Sequence, residues 1–278
     1  MRLIWQLLAV AAVGFAGGQA VMAVQGDPWL TLALSAAVVV LSVLVYRWVV
    51  RRTERRRVTE LDWQGAAPAV ALGTAVGVGL FGLVIMNIAF LGFYRIDGLG
   101  SPMSALGLLG FMAAVAVTEE LMWRGVLFRI IEERTGTWIA LVLTGVAFGL
   151  AHMINPNATL WGAIAIAIEA GGMLTAAYVA TRSLWLPIGL HFGWNLAASA
   201  IFSTEVSGNH TPQGLLDAVM SGPVLVTGGE FGPEGSAYSI VFCLIATAVF
   251  LWIARRRGRL VPFRRRAERA AAANTLPQ

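Results

Sequence analysis

The chain has 278 residues, of which 58% are hydrophobic and only 13% charged, and its mean hydropathy is +0.73; this excludes an ordinary soluble globular protein. The net charge of +5 comes from arginines clustered beside apolar runs, a pattern of membrane orientation rather than nucleic-acid binding. One cysteine, Cys243, excludes an intramolecular disulfide.

In chain order, apolar runs predict membrane helices over 3–24, 29–50, 67–93, 102–123, 138–155, 159–180, 184–203 and 237–254. Each is close to the roughly 20 residues that span a bilayer. The expected fold is all-α, a polytopic membrane helical bundle of about eight transmembrane helices, with one integral membrane domain over 1–261 and a basic cytoplasmic tail over 262–278. Arg2 and the small-residue stretch at 21–23 resemble a secretory signal peptide. The first run is nevertheless long enough to span, and it is expected to remain as a helix.

Placing the N-terminus in the cytoplasm puts all 20 arginines except Arg95 on or near the inner side. A multi-pass protein of the cell (plasma) membrane with both termini cytoplasmic is therefore expected. Trp29, Trp48, Trp138, Trp185 and Trp252 stand near run ends, as interfacial anchors do. The connection Thr204–Ser236, rich in Gly and Pro, is expected outside and carries no evident chemistry.

Ionisable residues inside spans are costly and mark functional sites by default. Here they are Glu119 with Glu120, His152, Glu169 and His191. Glu120 and Arg124 are four apart with the acid first, the order that favours an ion pair on a helix. Glu119 points about 100° away and stays free. Gly136 is expected to stop that helix, leaving Glu119 near its middle. Phe148 shares a helical face with His152, and Asn195 lies one turn below His191. Singly, such residues also serve as packing groups or interhelical polar contacts. Together, a carboxylate, two histidines and an asparagine can activate water and hold an oxyanion. Glu169 falls outside this set and is expected to be a protonated packing residue beside Gly171 and Gly172.

The stretches "EELMWR", "FGLAH" and "HFGWN" resemble, in order, the E-E-x-x-x-R, F-x-x-x-H and H-x-x-x-N motifs of the CPBP family of intramembrane proteases, also called the type II CAAX prenyl endopeptidase or Abi family. The resemblance covers Glu119 to Asn195 and implies a catalytic core over about 102–203. It implies that Glu119 activates water, that His152 assists or binds a metal, and that His191 and Asn195 form the oxyanion site. Glu120, Arg124 and Phe148 fill the remaining motif positions as supporting residues. It also implies a membrane-associated or lipidated protein substrate. Whether a divalent metal such as zinc, held by His152, His191 and Glu119, takes part is left open beside a metal-free glutamate mechanism.

Two other classes stand beside the protease. Intramembrane Glu and His also form the proton relays of transporters, although no inverted repeat is evident. A silent scaffold or immunity protein would keep the fold without the chemistry.

Overall fold

The computed structural model describes residues 1–263; the basic tail expected over 262–278 falls, from residue 264 on, outside the described residues. Its main helices are α1 Arg2–Met22, α2 Pro28–Glu54, α3 Ala66–Phe90, α4 Pro102–Thr135, α5 Thr137–Ile154, α6 Leu160–Thr181, α7 at 185–201 and α8 Ala237–Arg256. All eight expected runs fall on them. Seven have the length and composition to cross a membrane. The exception is α7, with twelve α-helical residues continuing into five in π form.

Local chemistry sets several helix starts. Asp27 accepts hydrogen bonds from the backbone N–H groups of Trp29 and Leu30 ahead of Pro28, and Ser101 caps α4 in the same way ahead of Pro102. Between α4 and α5, Gly136 sits at φ +78°, the break expected there.

Interhelical packing rests on small residues. In α3, a Cβ at Gly73 or Gly77 would meet the Leu186 or Leu190 carbonyl oxygen at 2.4 or 2.3 Å. Reciprocally, a Cβ on Gly189 or Gly193 of α7 would meet the carbonyl oxygens of Val70 and Thr74, each at 2.3 Å. Both helices thus carry a glycine pair four residues apart, which lets their backbones approach where lipid supplies no hydrophobic drive. Gly149 of α5 meets α6 likewise, at Ala163.

Exposed apolar side chains such as Phe15, Leu44, Phe90, Val142 and Ile245 ring the bundle, as expected of a surface solvated by lipid tails. Trp29, Trp48, Trp138 and Trp252 are exposed in keeping with interfacial anchors, but Trp185 is buried. It stacks on Trp63 with ring centroids 5.0 Å apart and donates to the Asp62 carbonyl. Its job is to dock the α2–α3 connection under α7.

At the end of the bundle rich in arginine, α1, α2 and α4 are tied by charge. The Arg129 guanidinium reaches both carboxylate oxygens of Glu54, at 2.8 and 2.9 Å, and the buried Gln6 of α1. Gln6 in turn donates to Glu54 and Thr53. The first helix is thereby an integral part of the core.

The connection Thr204–Ser236 is ordered and bears on the site. Its strand β2, Leu216–Met220, pairs antiparallel with β1, Tyr94–Leu99, with a bulge between Ile96 and Gly98. Short turns then lead to Pro233–Gly235, which are buried against the bundle.

Candidate active site

Glu119 and Glu120 sit at the end of the regular α-helical part of α4, where residues Leu121–Phe128 adopt a π-helix. Glu120 and Arg124 are fully buried and form the expected ion pair, Arg124 donating to Glu120 Oε1 at 2.6 Å. The helix continues to Thr135, so these residues do not mark its end. Arg124 also donates to Thr175 Oγ1 at 3.3 Å and to the Ala170 carbonyl, joining α4 to α6. Its guanidinium lies 4.9 Å from the Phe148 ring centroid, a cation–π contact. Phe148 packs edge-on to Trp123 and against His152, so the supporting residues of two motifs form one stack.

Both histidines are oriented by acceptors that fix a tautomer. The Nδ1–H of His191 donates to Glu120 Oε1 at 3.0 Å, because that carboxylate is already paired with Arg124 and can only accept. In His152, Nδ1–H donates to the Phe148 carbonyl at 2.8 Å. Each ring therefore turns Nε2 toward the site. His191 Nε2 stands 4.0 Å from Glu119 Oε2.

His152, His191, Asn195 and Glu169 line one narrow cavity of about 20 Å³, room for about one water. Glu119 lies beside this cavity rather than in its wall. Its side chain is 27% exposed and opens on an apolar groove between α1 and α4 that also includes Thr118, Met122 and Ile154. His191 is the bridge between groove and cavity. Among the described residues no group of three or more His, Cys, Asp or Glu side chains stands together as a metal site. Glu119, His152 and His191 thus do not fit as a joint metal-ligand set in this arrangement.

Helix lengths alone put the histidines at different depths, since His152 lies 15 residues past Thr137 and His191 only 6 past Trp185. The α2–α3 connection removes the discrepancy. Leu184 N–H donates to the Glu60 carbonyl, Tyr46 donates to Glu60, and Tyr46 also donates to the Gly125 carbonyl of α4. Gly125 is ten residues short of the end of α4. Helix α7 therefore starts about 15 Å from the arginine-rich end of the bundle, which brings His191 to the level of His152.

The cavity wall also includes Trp194, Ser207 and Glu234, none of them a defined motif position. Glu234 is buried and accepts from Trp194 Nε1 at 3.0 Å and from both the N–H and hydroxyl of Ser207. Burial pushes its carboxyl above the ordinary carboxylate range, against the pull of these donors. Only its place in a Gly- and Pro-rich connection was visible in the sequence, and that signals turns, not chemistry. Glu169 makes no hydrogen bond or ion pair with Arg124, which spends its donors on Glu120, Thr175 and Ala170.

Residues 101–197 match the family model described as Type II CAAX prenyl endopeptidase Rce1-like. That segment, about a third of the chain, is similar to the CPBP, or CAAX protease, family. The matched segment begins at the cap of α4 and ends just past Asn195, so it holds all three motifs. No curated protein and no solved structure matches the chain.

Proposed function

We propose that the protein is an intramembrane endopeptidase that hydrolyses a peptide bond of a membrane-associated, lipidated protein in the plasma membrane. The observation that carries this reading is the division of labour between adjacent glutamates: Glu120 is consumed by Arg124 and His191, while Glu119 is free and beside His191 Nε2.

In this reading Glu119 removes a proton from water as its oxygen bonds to the scissile carbonyl carbon. Nε2 of His191 shares that proton with Glu119 and so becomes a donor toward the oxyanion, alongside the Asn195 amide. His152, with Nδ1–H held by Phe148, presents Nε2 as an acceptor that orients the water. Because the proposed ligands do not group, no step passes through a metal. A lipid-tethered substrate suits the groove at Glu119, which is about 430 Å³ and almost wholly apolar.

The test is cleavage of a prenylated, membrane-tethered peptide by the purified protein in proteoliposomes. Glu119→Ala and His152→Ala are expected to lose cleavage while keeping the wild-type melting profile. Full activity in Glu119→Ala sinks the mechanism. Chelator treatment with elemental analysis of the purified protein tests the metal separately.

A further inference from the structure

Glu169 takes no part in the reaction above, yet it lines the same cavity as His152, His191 and Asn195. It is 2% exposed, and neither carboxyl oxygen has a hydrogen-bond partner among the described residues. The N–H donors of the titratable groups around it are otherwise engaged. Arg124 from α4 is spent on three acceptors, the Nδ1–H groups of His152 from α5 and His191 from α7 are donated, and Glu234 is held by Trp194 and Ser207. Cys243 faces it from α8 as a buried thiol.

A buried carboxylate with neither cation nor donor is costly, so the side chain is held as the neutral acid. Its backbone is held as well. Glu169 opens a π-helical segment, Glu169–Leu174, within α6, and the next carbonyl, Ala170, accepts from Arg124. Such π segments frequently interrupt helices at functional sites. The only unengaged acid of the cavity is thus fixed beside the space for a single water.

We propose that Glu169 is the acid of the site, a positioning residue that supplies, through the water the cavity admits, the proton taken by the leaving amide nitrogen. This rests on the endopeptidase reading. As water adds to the carbonyl carbon, Glu119 gains a proton. As the C–N bond breaks, the nitrogen gains one from the cavity water, which is replenished by Glu169. Transfer of the Glu119 proton back through His191 Nε2 and the water restores Glu169, and the net change is one water consumed and one peptide bond cleaved. Two carboxyls in different surroundings, one open and one enclosed, are an arrangement that separates base from acid.

The experiment compares wild type, Glu119→Gln, Glu169→Gln and Glu169→Asp in proteoliposomes, with kcat and KM measured across pH and folding checked by melting. Glutamine keeps the size and packing of Glu169 but carries no transferable proton. Glu169→Gln is expected to lower kcat by about 100-fold at unchanged KM and to remove the alkaline limb of the wild-type kcat profile, with partial recovery in Glu169→Asp. A wild-type rate and pH profile in Glu169→Gln, with Glu119→Gln inactive, overturns this inference and leaves the endopeptidase reading standing. A wild-type protein that cleaves no prenylated peptide overturns both. Should Glu169→Gln fail to fold, the aspartate variant decides: a displaced alkaline limb supports the assignment, and an undisplaced one overturns it.

Discussion

Glu119 and Glu120 are neighbours in the chain but have opposite energetic roles. Glu120 is buried between a guanidinium and an imidazole, and removing its charge strands the buried Arg124 without a counter-charge. Glu120→Gln is therefore expected to destabilise the fold by about 3 to 5 kcal/mol, seen as a lower melting temperature in detergent and a loss of soluble yield. Glu119, partly exposed and 4.0 Å from His191 Nε2, bears little structural load. Glu119→Gln should melt like wild type while cleavage falls by about 100- to 10,000-fold. Equal melting temperatures for the two variants would remove the distinction. Helical spacing in the sequence already separated a paired glutamate from a free one. It could not reveal that His191 shares Glu120, because that contact joins residues 71 apart, nor that Glu119 lies outside the cavity wall.

Helix α7 shows how one element carries site geometry in its packing face. Gly189 and Gly193 press on α3, and His191 and Asn195 follow each glycine by two residues, about 200° around the helix. Burying the glycine face on α3 therefore turns the histidine and asparagine toward the cavity. In α3, Gly77→Ala would place a methyl 2.3 Å from the Leu190 carbonyl, whereas a Cβ at Gly79 meets nothing within 4 Å. Gly77→Ala is expected to cost about 1 to 3 kcal/mol and to lower kcat by displacing His191; Gly79→Ala should do neither. Melting and cleavage rates of the pair check this. The H-x-x-x-N spacing was legible without alignment to a structure, but the glycine pairing was not, since it needs to be known which two helices touch.

The α2–α3 connection sets the depth of α7 and brings a pH dependence. Burial raises the Glu60 carboxyl, but donors from Arg56 and Tyr46 outweigh it, and the group is held below the ordinary carboxylate range. A depressed folded value means that the stabilisation is complete above the unfolded value of about 4.3 and is lost as pH falls through the folded one. The melting temperature should be level down to about that pH and decline below it. Glu60→Gln should melt lower at neutral pH and show a shallower acid decline; an acid profile identical to wild type would mean that Glu60 is not the anchor.

At the scale of the whole molecule, orientation decides which leaflet supplies substrate. The arginine asymmetry, with Arg95 alone on the opposite side in the cytoplasmic-N-terminus arrangement, predicts the α2–α3 connection in the cytoplasm and the Thr204–Ser236 connection outside. The structure adds a physical link: Arg95 lies on β1, which pairs with β2 of that same connection, so the two share one side of the bundle. Cysteine labelling reads this cleanly because Cys243 is fully buried and should be silent toward a membrane-impermeant maleimide. Gln213→Cys, at an exposed position of the outer connection, should label in intact cells. Arg57→Cys, exposed beside α2, should label only after the membrane is opened. The reverse pattern would invert the topology. The cavity, walled by Trp194, Ser207 and Glu234, would then be closed from the cytoplasmic side by the connection assigned here to the outside.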